Sequence, residues 1–405
     1  MVLFAPERHE PLLDCAWDAA TAHVALTRIV ADTRRAYGGP EALWPIHPLD
    51  VSPERADVLK PLYYGAAGVI WGLRHLQAAG AIAPGPEYVE AVAGLLAGSR
   101  VDAQRLHGGP LSAYLLGDAG ILLLHWTMAP SEVLARQLHG ALVANADHPS
   151  RGLAWGEPGT MLAALIMFRR TAEQRWRDVY LGGIDRLWSA WKYDPEPGCH
   201  LWTHDLYGLA APRLGALHGF AGVAAVLLQG RDLLSAQRRA ELESRVANTL
   251  RATAVVAVAH ANWPMTARRS ATPDGLGHHV LQHCWGAPGI VNSLAGLPAD
   301  ARTDALLLAA GELIWVAGPP VKLPSLCHGA AGNGYAFLKL FARTGDEIWL
   351  GRARRFAMHA IAQADQCALR HGQRKFSLWT GDLGLALYLW DCIRGTSDFP
   401  LVEVF

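Results

Sequence analysis

A short glycine signature recurs seven times along this 405-residue chain. Each copy is Gly-x-x-Gly followed by an apolar run with helical spacing, such as the run Val69-Ile70-Trp71. The copies begin at Gly65, Gly117, Gly156, Gly219, Gly286, Gly329 and Gly381. One isolated copy would be expected by chance in a chain with 41 glycines, but seven copies indicate an internal repeat.

The spacing of the signatures predicts how the repeats fold. Roughly 40–65 residues separate successive copies, which is enough for one helix that starts at the signature and one that returns. Alternating, strand-like runs are nearly absent, so we expect an all-α chain of seven helix pairs with inner and outer helices. Glycines at the helix starts allow close backbone approach, and the inner N-termini could converge around an axis. Closure into a toroid does not follow from the repeat alone.

Domain organisation follows from the same pattern. Because the repeats use nearly the whole chain, we expect one domain over residues 1–405, with an N-terminal helix in residues 1–40 packing on it. The proline-rich stretches at 40–53, 195–197 and 319–320 fall between signatures and are expected to be loops between helices.

Composition excludes several classes of function. Hydrophobic residues make up 51% of the chain. Because Lys plus Arg balance Asp plus Glu at 36 each, the composition indicates no basic face for nucleic acid. No stretch approaches the roughly 20 apolar residues of a membrane span, and residues 1–11 do not resemble a signal peptide. We therefore expect a cytoplasmic protein with no membrane span. Its six sparse cysteines are expected to be reduced.

Chemically reactive side chains stand directly before three of the signatures. They are His218 before Gly219, Cys284-Trp285 before Gly286, and Cys327-His328 before Gly329. Equivalent positions in a repeat meet at the same end of the structure. Two thiolates and an imidazole suit tetrahedral zinc and leave one position for water or substrate. The sequence therefore predicts that Cys284, Cys327 and His328 bind Zn²⁺ in a site open to catalysis.

Other polar residues receive weaker interpretations. His218 should face the same cavity and could exchange a proton with a bound substrate. Four more histidines are more commonly structural, although any of them could support or replace a metal ligand; they are His204, His278, His279 and His283. Cysteines outside the signatures are expected to be structural; they are Cys15, Cys199, Cys367 and Cys392. Asp118 and Glu157 are expected to interact with a helix dipole and have no catalytic role.

Three motifs resemble the lanthionine synthetase C family, especially its stand-alone C-like branch. They are Leu217-His-Gly-Phe-Ala-Gly222, Cys284-Trp-Gly-Ala-Pro-Gly289 and the segment Leu326–Leu338 that begins Leu-Cys-His-Gly-Ala-Ala-Gly. The resemblance covers residues 63–390 and includes Leu116-Gly-Asp-Ala-Gly120 and Phe376-Ser-Leu-Trp-Thr-Gly381. It implies a closed (α/α) toroid of seven helix pairs with zinc on Cys284, Cys327 and His328.

The resemblance also implies a reaction. Members of the family cyclise lanthipeptide precursors or, in the C-like branch, add glutathione to dehydroalanine and dehydrobutyrine in peptides and proteins. Both reactions are Michael additions of a thiol, in which zinc stabilises the thiolate that attacks the β-carbon. The family pattern implies that His218 protonates the resulting enolate or tunes the zinc-bound thiol.

Departures from the family pattern separate three hypotheses. Dedicated cyclases have Arg four positions before the first zinc cysteine and Tyr directly after it, where this chain has Val280 and Trp285. Lys322 matches a basic residue that the C-like branch commonly carries, and it could pair with a carboxylate of glutathione or be a solvated loop residue. We therefore favour addition of glutathione or a similar small thiol to a peptide or protein. A lanthipeptide cyclase and a non-catalytic zinc- or thiol-binding scaffold stay open.

Overall fold

A computed structural model describes residues 3–51, 59–267 and 280–405. The described residues contain fourteen α-helices, seven of which begin at a glycine signature. These inner helices are α2 (Ala66–Ala78), α4 (Asp118–Met128), α6 (Glu157–Thr171), α8 (Phe220–Gln229), α10 (Ala287–Leu294), α12 (Ala330–Thr344) and α14 (Asp382–Arg394). The outer helices are α1 (Ala19–Arg35), α3 (Val89–His107), α5 (Glu132–Ala144), α7 (Gln174–Ala190), α9 (Ala236–Ala252), α11 (Ala301–Ala317) and α13 (Glu347–His371).

The inner helices form a closed ring. Each inner helix contacts the next one along the chain, and α14 contacts α2, which completes the circle. Helix α1 packs on α14 and α13 at the outside of this junction. The prediction of an all-α toroid of inner and outer helices is confirmed. Closure adds a packing partner for both terminal repeats, so neither leaves an apolar face uncovered.

Burial follows the sequence patterns of the two helix layers. The inner helix α8 is buried on every side from Phe220 to Leu228, as expected for a helix surrounded by neighbours. Outer helices bury one face. Several of them begin at polar caps: Asp18 accepts hydrogen bonds from the backbone of α1, and Asp300 does so for α11. None of the helices in the described ranges is long and apolar enough to cross a bilayer.

Acidic residues at the first position of three inner helices pair with arginines, two of which lie in outer helices and one, Arg374, in the connection before α14. Asp118 accepts from Arg100 at 2.8 Å, and Glu157 accepts from Arg186 at 2.7 Å. Asp382 pairs with Arg374 in the same way, at 3.3 Å. These carboxylates are buried at positive helix ends, as expected for Asp118 and Glu157, and the arginines add a link between the two layers.

Three short antiparallel hairpins were not predicted from the sequence. They are β1 (Lys192–Asp194) with β2 (Cys199–Leu201), β3 (His204–Leu206) with β4 (Leu209–Ala211), and β5 (Val255–Ala257) with β6 (His260–Asn262). Each strand has three residues, too few to show an alternating pattern. All three hairpins lie in connections from an outer helix to the next inner helix, at the end of the ring where the inner helices begin.

The C-terminal residues fold back into the centre of the ring. The Phe399 ring stacks on His283 with a 4.1 Å centroid separation, and the Tyr114 hydroxyl donates to the carbonyl oxygen of Leu401 at 2.8 Å. Gln229 donates to the carbonyl oxygen of Val402 at 2.8 Å. This segment therefore fills the axial space beneath the inner-helix starts.

Candidate metal centre

The residue two positions before each signature lies on a ring around the toroid axis. This axial ring consists of Tyr63, Leu115, Ala154, Leu217, Cys284, Cys327 and Trp379. Backbone hydrogen bonds join several neighbours: the N–H of Cys284 donates to the carbonyl of Cys327 at 3.4 Å, and that of Cys327 donates to Trp379 at 3.0 Å. Trp379 donates to Tyr63 at 3.0 Å, and Tyr63 to Leu115 at 2.9 Å. The repeat register thus places the two cysteines next to each other.

The second glycine of each signature makes this ring possible. A Cβ atom added at Gly332 would overlap the carbonyl oxygen of Leu326, six residues earlier, and the same relation holds at Gly289 with the carbonyl oxygen of His283. The loop before each inner helix therefore rests directly on the helix backbone. This contact fixes the position of the cysteine that lies between the two touching groups.

Cys284, Cys327 and His328 come together as the sequence predicts. Their ligand atoms all lie within 4.8 Å of one another, and Cys327 Sγ is 3.4 Å from His328 Nε2. Ligands that share one tetrahedral zinc ion lie roughly 3.5–4 Å apart, given Zn–S near 2.3 Å and Zn–N near 2.0 Å. Both cysteines are buried and His328 is half-buried, so a bound ion would be reached from the His328 side. The three side chains could hold a metal ion.

The two thiols are electrostatically coupled. Burial, followed by the neighbouring Cys327, raises the pKa of the Cys284 thiol well above its usual range. Burial opposes ionisation of Cys327 too, but a hydrogen bond from Cys284, the adjacent His328 and a hydrogen bond from Tyr63 together hold the Cys327 pKa well below its usual range. The two sulfurs thus share one proton. A divalent cation that bound both sulfurs would displace that proton.

Two further side chains contact the thiols. The Gln282 amide donates to Cys284 Sγ at 3.0 Å, and the Tyr63 hydroxyl donates to Cys327 Sγ. Burial, and then the charges of Cys327 and Cys284, raise the pKa of Tyr63 well above its ordinary value, so it stays protonated as a donor. Sequence reasoning missed both residues. The signal for Tyr63 was present, because Tyr63 occupies the same signature position as the two cysteines.

His218 lies beside Trp285 in the next position around the site. Their rings are 5.8 Å apart, and Trp285 also packs on Gly215, where a Cβ atom would meet its indole ring. Burial, followed by nearby Arg213 and His328, lowers the pKa of His218 to about 4, so its imidazole is neutral at pH 7. Trp285, which stands where dedicated cyclases have Tyr, thus packs next to the His218 ring and against Gly215.

Lys322 lies in a cleft next to His328. The cleft has a volume of about 520 Å³, and its charged lining includes Glu10, Asp50, Lys322, Arg370 and Lys375. Lys375 pairs with Asp50 at 2.6 Å, and Glu10 pairs with His359 at 2.7 Å. Within the described ranges, Lys322 and Arg370 have no ion-pair partner, which leaves a positive charge excess beside the cysteine–histidine cluster. Arg370 was not identified from the sequence, because it lies far from every signature.

Two further sequence candidates, His204 and His283, are not among the clustered ligands. His204 Nδ1 bonds the carbonyl of Ser150 at 3.1 Å and anchors strand β3, while His283 Nδ1 lies 3.1 Å from the Asn292 amide. Both histidines are buried, and neither joins the three clustered ligands. His278 and His279 lie outside the described residues.

All six cysteines are among the described residues, and none forms a disulfide. Cys199 and Cys392 are buried, and Cys15 is half-buried. Cys367 is also half-buried, and it lines the cleft that contains Lys322.

Comparison with known proteins identifies the family of the chain. The family model described as "Lanthionine synthetase C-like protein" matches residues 200–404. "Glutathione S-transferase LANCL1" from Danio rerio is 32% identical over 319 residues, which cover 72% of this chain and 74% of that protein. "LanC-like protein GCL1" from Arabidopsis thaliana is 32% identical over 133 residues, or 31% of this chain and 30% of that protein.

The fold is also found among solved structures. A chain named "Nisin cyclase" superimposes with a TM-score of 0.55 over 84% of this chain and 95% of its own length, at 14% sequence identity. At that identity the likeness concerns the toroid alone. The family match over half of the chain and the 32% identity to a relative covered over 74% of its length agree with the signatures and the clustered ligands. The chain therefore belongs to the lanthionine synthetase C-like family.

Proposed function

We propose that the protein adds a thiol, glutathione or a similar small thiol, to dehydroalanine or dehydrobutyrine in a peptide or protein. The observation that supports this most directly is the cluster of two thiols and an imidazole beside a cationic cleft. A relative 32% identical to this chain is named a glutathione S-transferase. We place the reaction in the cytosol, where thiols stay reduced.

Zinc is the cofactor that these residues fit. Cys284, Cys327 and His328 provide a sulfur-rich set of three ligands, which is typical of zinc and leaves its fourth position for the incoming thiol. When bound, zinc would lower the pKa of that thiol and so supply thiolate at neutral pH. Tyr63 and Gln282 donate hydrogen bonds to the two sulfurs and would fix their orientation and moderate their charge.

Other residues of the chain would bind the thiol and transfer the proton. Lys322 and Arg370 bind the carboxylates of glutathione and orient its sulfur towards His328. The sulfur bonds to the β-carbon of the dehydroamino acid, and the C=C electrons move to the α-carbon and its carbonyl. The proton lost by the thiol is returned to the α-carbon, so no group leaves. His218 faces this space and can move that proton, or it can tune the thiol through its neutral imidazole.

Incubation with a dehydroalanine peptide tests the proposal. The zinc-loaded protein should convert peptide plus glutathione to a product heavier by one glutathione, as seen by mass spectrometry. A second peptide carries both dehydroalanine and an internal cysteine. Loss of its free thiol without a change of mass would identify a cyclase, the alternative that Val280 and Trp285 disfavour. Binding of glutathione without either product would identify a scaffold protein.

A further inference from the structure

The β3–β4 hairpin carries apolar side chains into solvent near the candidate metal centre. Tyr207 and Gly208 form its two-residue turn, with φ of 56° and 78°, and Leu206 pairs with Leu209 at its end. Both positions are left-handed, the geometry of a tight type I′ turn. Tyr207 is 80% exposed and Leu209 is 69% exposed. A bulky residue at positive φ costs conformational energy, and here it gains little burial in return.

The base of the hairpin is fixed to the loop that leads into α6. The N–H of Asp205 donates to the carbonyl of Pro149 at 3.1 Å, and His204 Nδ1 bonds the carbonyl of Ser150 at 3.1 Å. Arg151 donates to the carbonyl of Thr203 at 3.2 Å. These bonds hold a short, rigid turn in one place. Tyr207 is therefore presented at a defined position.

That position is next to Trp155, in the repeat that precedes the one carrying His218. Tyr207 packs edge-on against Trp155, at 6.2 Å between ring centroids, and Trp155 stands directly before the Gly156 signature. Trp155 thus holds the place in its repeat that His218 and His328 hold in theirs. The N–H of Ala154 donates to the carbonyl of Leu217 at 3.2 Å, and a Cβ atom added at Gly152 would lie 3.1 Å from the Cα of His218. The loop that carries Trp155 therefore lies against the backbone at His218, with Tyr207 packed on Trp155.

The two sides of the site differ in chemistry. Lys322 and Arg370 mark the side next to His328, whereas Trp155, Tyr207 and Leu209 mark the other side of His218. The arginines near the hairpin are engaged by backbone carbonyls: Arg213 donates to Leu209 beside the turn at 3.0 Å, and Arg151 donates to Thr203 at the base. A thiol with carboxylates fits the first side. An apolar or aromatic side chain fits the second, because aromatic rings pack edge-on with little cost in side-chain entropy.

We propose that Tyr207 and Trp155 form the acceptor-peptide side of the site and select peptides with an aromatic or large apolar residue beside the dehydroamino acid. This specificity rests on the proposed thiol addition. The occupant is the peptide substrate itself, since the surface is continuous with the position where its dehydroamino acid must meet the thiol and His218. Tyr207 is then a specificity residue, with no part in bond formation.

The test uses the full-length, zinc-loaded protein and two pairs of peptides. One pair has dehydroalanine flanked by Phe or by Ser, and the second pair has alanine in place of dehydroalanine. The alanine peptides cannot react, so their affinities measure docking alone. The wild type should bind the Phe-flanked alanine peptide roughly three- to tenfold more tightly than the Ser-flanked one. The same ratio should appear in kcat/KM for the reactive pair.

Variants test whether the hairpin causes the preference for the Phe-flanked peptide. Tyr207→Ser should abolish the preference by weakening binding of the Phe-flanked peptide, whereas Tyr207→Phe should keep it. Tyr193→Ser is the matched control, because Tyr193 is 60% exposed on the neighbouring β1–β2 hairpin with its ring near His200. That variant should bind both peptides like the wild type.

Three outcomes would overturn the inference: no preference in the wild type, a preference that survives Tyr207→Ser, or equal weakening of both peptides by Tyr207→Ser. A docking preference without any thioether product supports this surface and contradicts the proposed reaction. Failure of the proposed peptide surface can therefore be distinguished from failure of the proposed reaction.

Discussion

The backbone N–H of Cys284 donates a hydrogen bond to the carbonyl oxygen of Cys327, at 3.4 Å, across two successive repeats. The positions of the two thiols thus depend on how the repeats pack as well as on their own side chains. The glycines that let each loop touch its helix are part of the same support. Changes to this packing should affect metal binding without altering any ligand.

Gly332→Ala should displace the loop that carries Cys327. Its Cβ would overlap the carbonyl oxygen of Leu326, the residue before Cys327, and the loop would have to move. We expect a loss of about 1–3 kcal/mol in the free energy of unfolding, as measured by chemical denaturation. Zinc affinity, measured by competition with a chelator, should fall with it.

Gly351→Ala is the matched control for this prediction. Gly351 lies on the exposed side of α13, and a Cβ atom there would meet nothing within 4 Å. Alanine should stabilise the helix by roughly 0.5–1 kcal/mol and leave zinc affinity unchanged. Equal losses for both variants would contradict the role assigned to the close loop contact.

The general architecture could be predicted from the sequence because it repeats. Seven signatures fix seven helix starts, and matching positions before Gly286 and Gly329 identify Cys284 and Cys327 as neighbours. The pattern could not show Arg370 or Tyr207, which reach the site from an outer helix and a hairpin. Such residues lie at no fixed offset from a signature, so only tertiary packing brings them to the site.

Replacement of His218 should separate chemistry from metal binding. His218 borders the cysteine–histidine cluster without joining it, so His218→Asn should retain zinc. We expect kcat for thioether formation to fall roughly 100-fold or more, which is the usual contribution of a positioned proton-transfer group. Steady-state kinetics and metal analysis on one preparation check both parts. An unchanged kcat would remove His218 from the proton transfer.

Replacement of Lys322 or Arg370 should weaken recognition of an anionic thiol. Each cation lines the cleft beside His328, and neither has an ion-pair partner within the described ranges. Lys322→Ala and Arg370→Ala should each raise the KM for glutathione roughly three- to tenfold, as expected for partly solvated carboxylate contacts. The rate with the neutral thiol 2-mercaptoethanol should not change.

Lys192→Ala provides the control for charge removal, because Lys192 is exposed on strand β1, outside the cleft. It should leave the KM for glutathione unchanged. If Lys322→Ala and Arg370→Ala reduced the rate with both thiols equally, the cleft would not be the carboxylate site.

Asp391 should make folding stability depend on pH. Burial raises its pKa to about 6, although Tyr335 and Thr396 donate hydrogen bonds to it at 2.5 and 2.6 Å. Because the folded-state pKa lies above the unfolded value of about 4, the folded protein holds more protons between pH 4 and 6. The stabilisation is complete below pH 4 and is lost as the pH rises through 6. This group changes the free energy of unfolding by at most about 1.4 kcal/mol per pH unit.

Urea denaturation across this pH range checks the prediction. Asp391→Asn should reduce the decline in the free energy of unfolding between pH 4 and 6. Asp178→Asn, which changes an exposed carboxylate on α7, should leave it as in the wild type. A decline of the same steepness in Asp391→Asn would show that another group causes it.

Metal content tests the central claim most directly. Purified wild-type protein, exchanged into chelator-treated buffer, should contain about one zinc ion per chain by elemental mass spectrometry, since three protein ligands form one site. Cys284→Ser and Cys327→Ser should each lose the zinc together with thioether formation. Cys392→Ser, which changes a buried cysteine outside the cluster, should keep both. Full zinc content in Cys284→Ser would contradict the ligand set from which the proposed function is built.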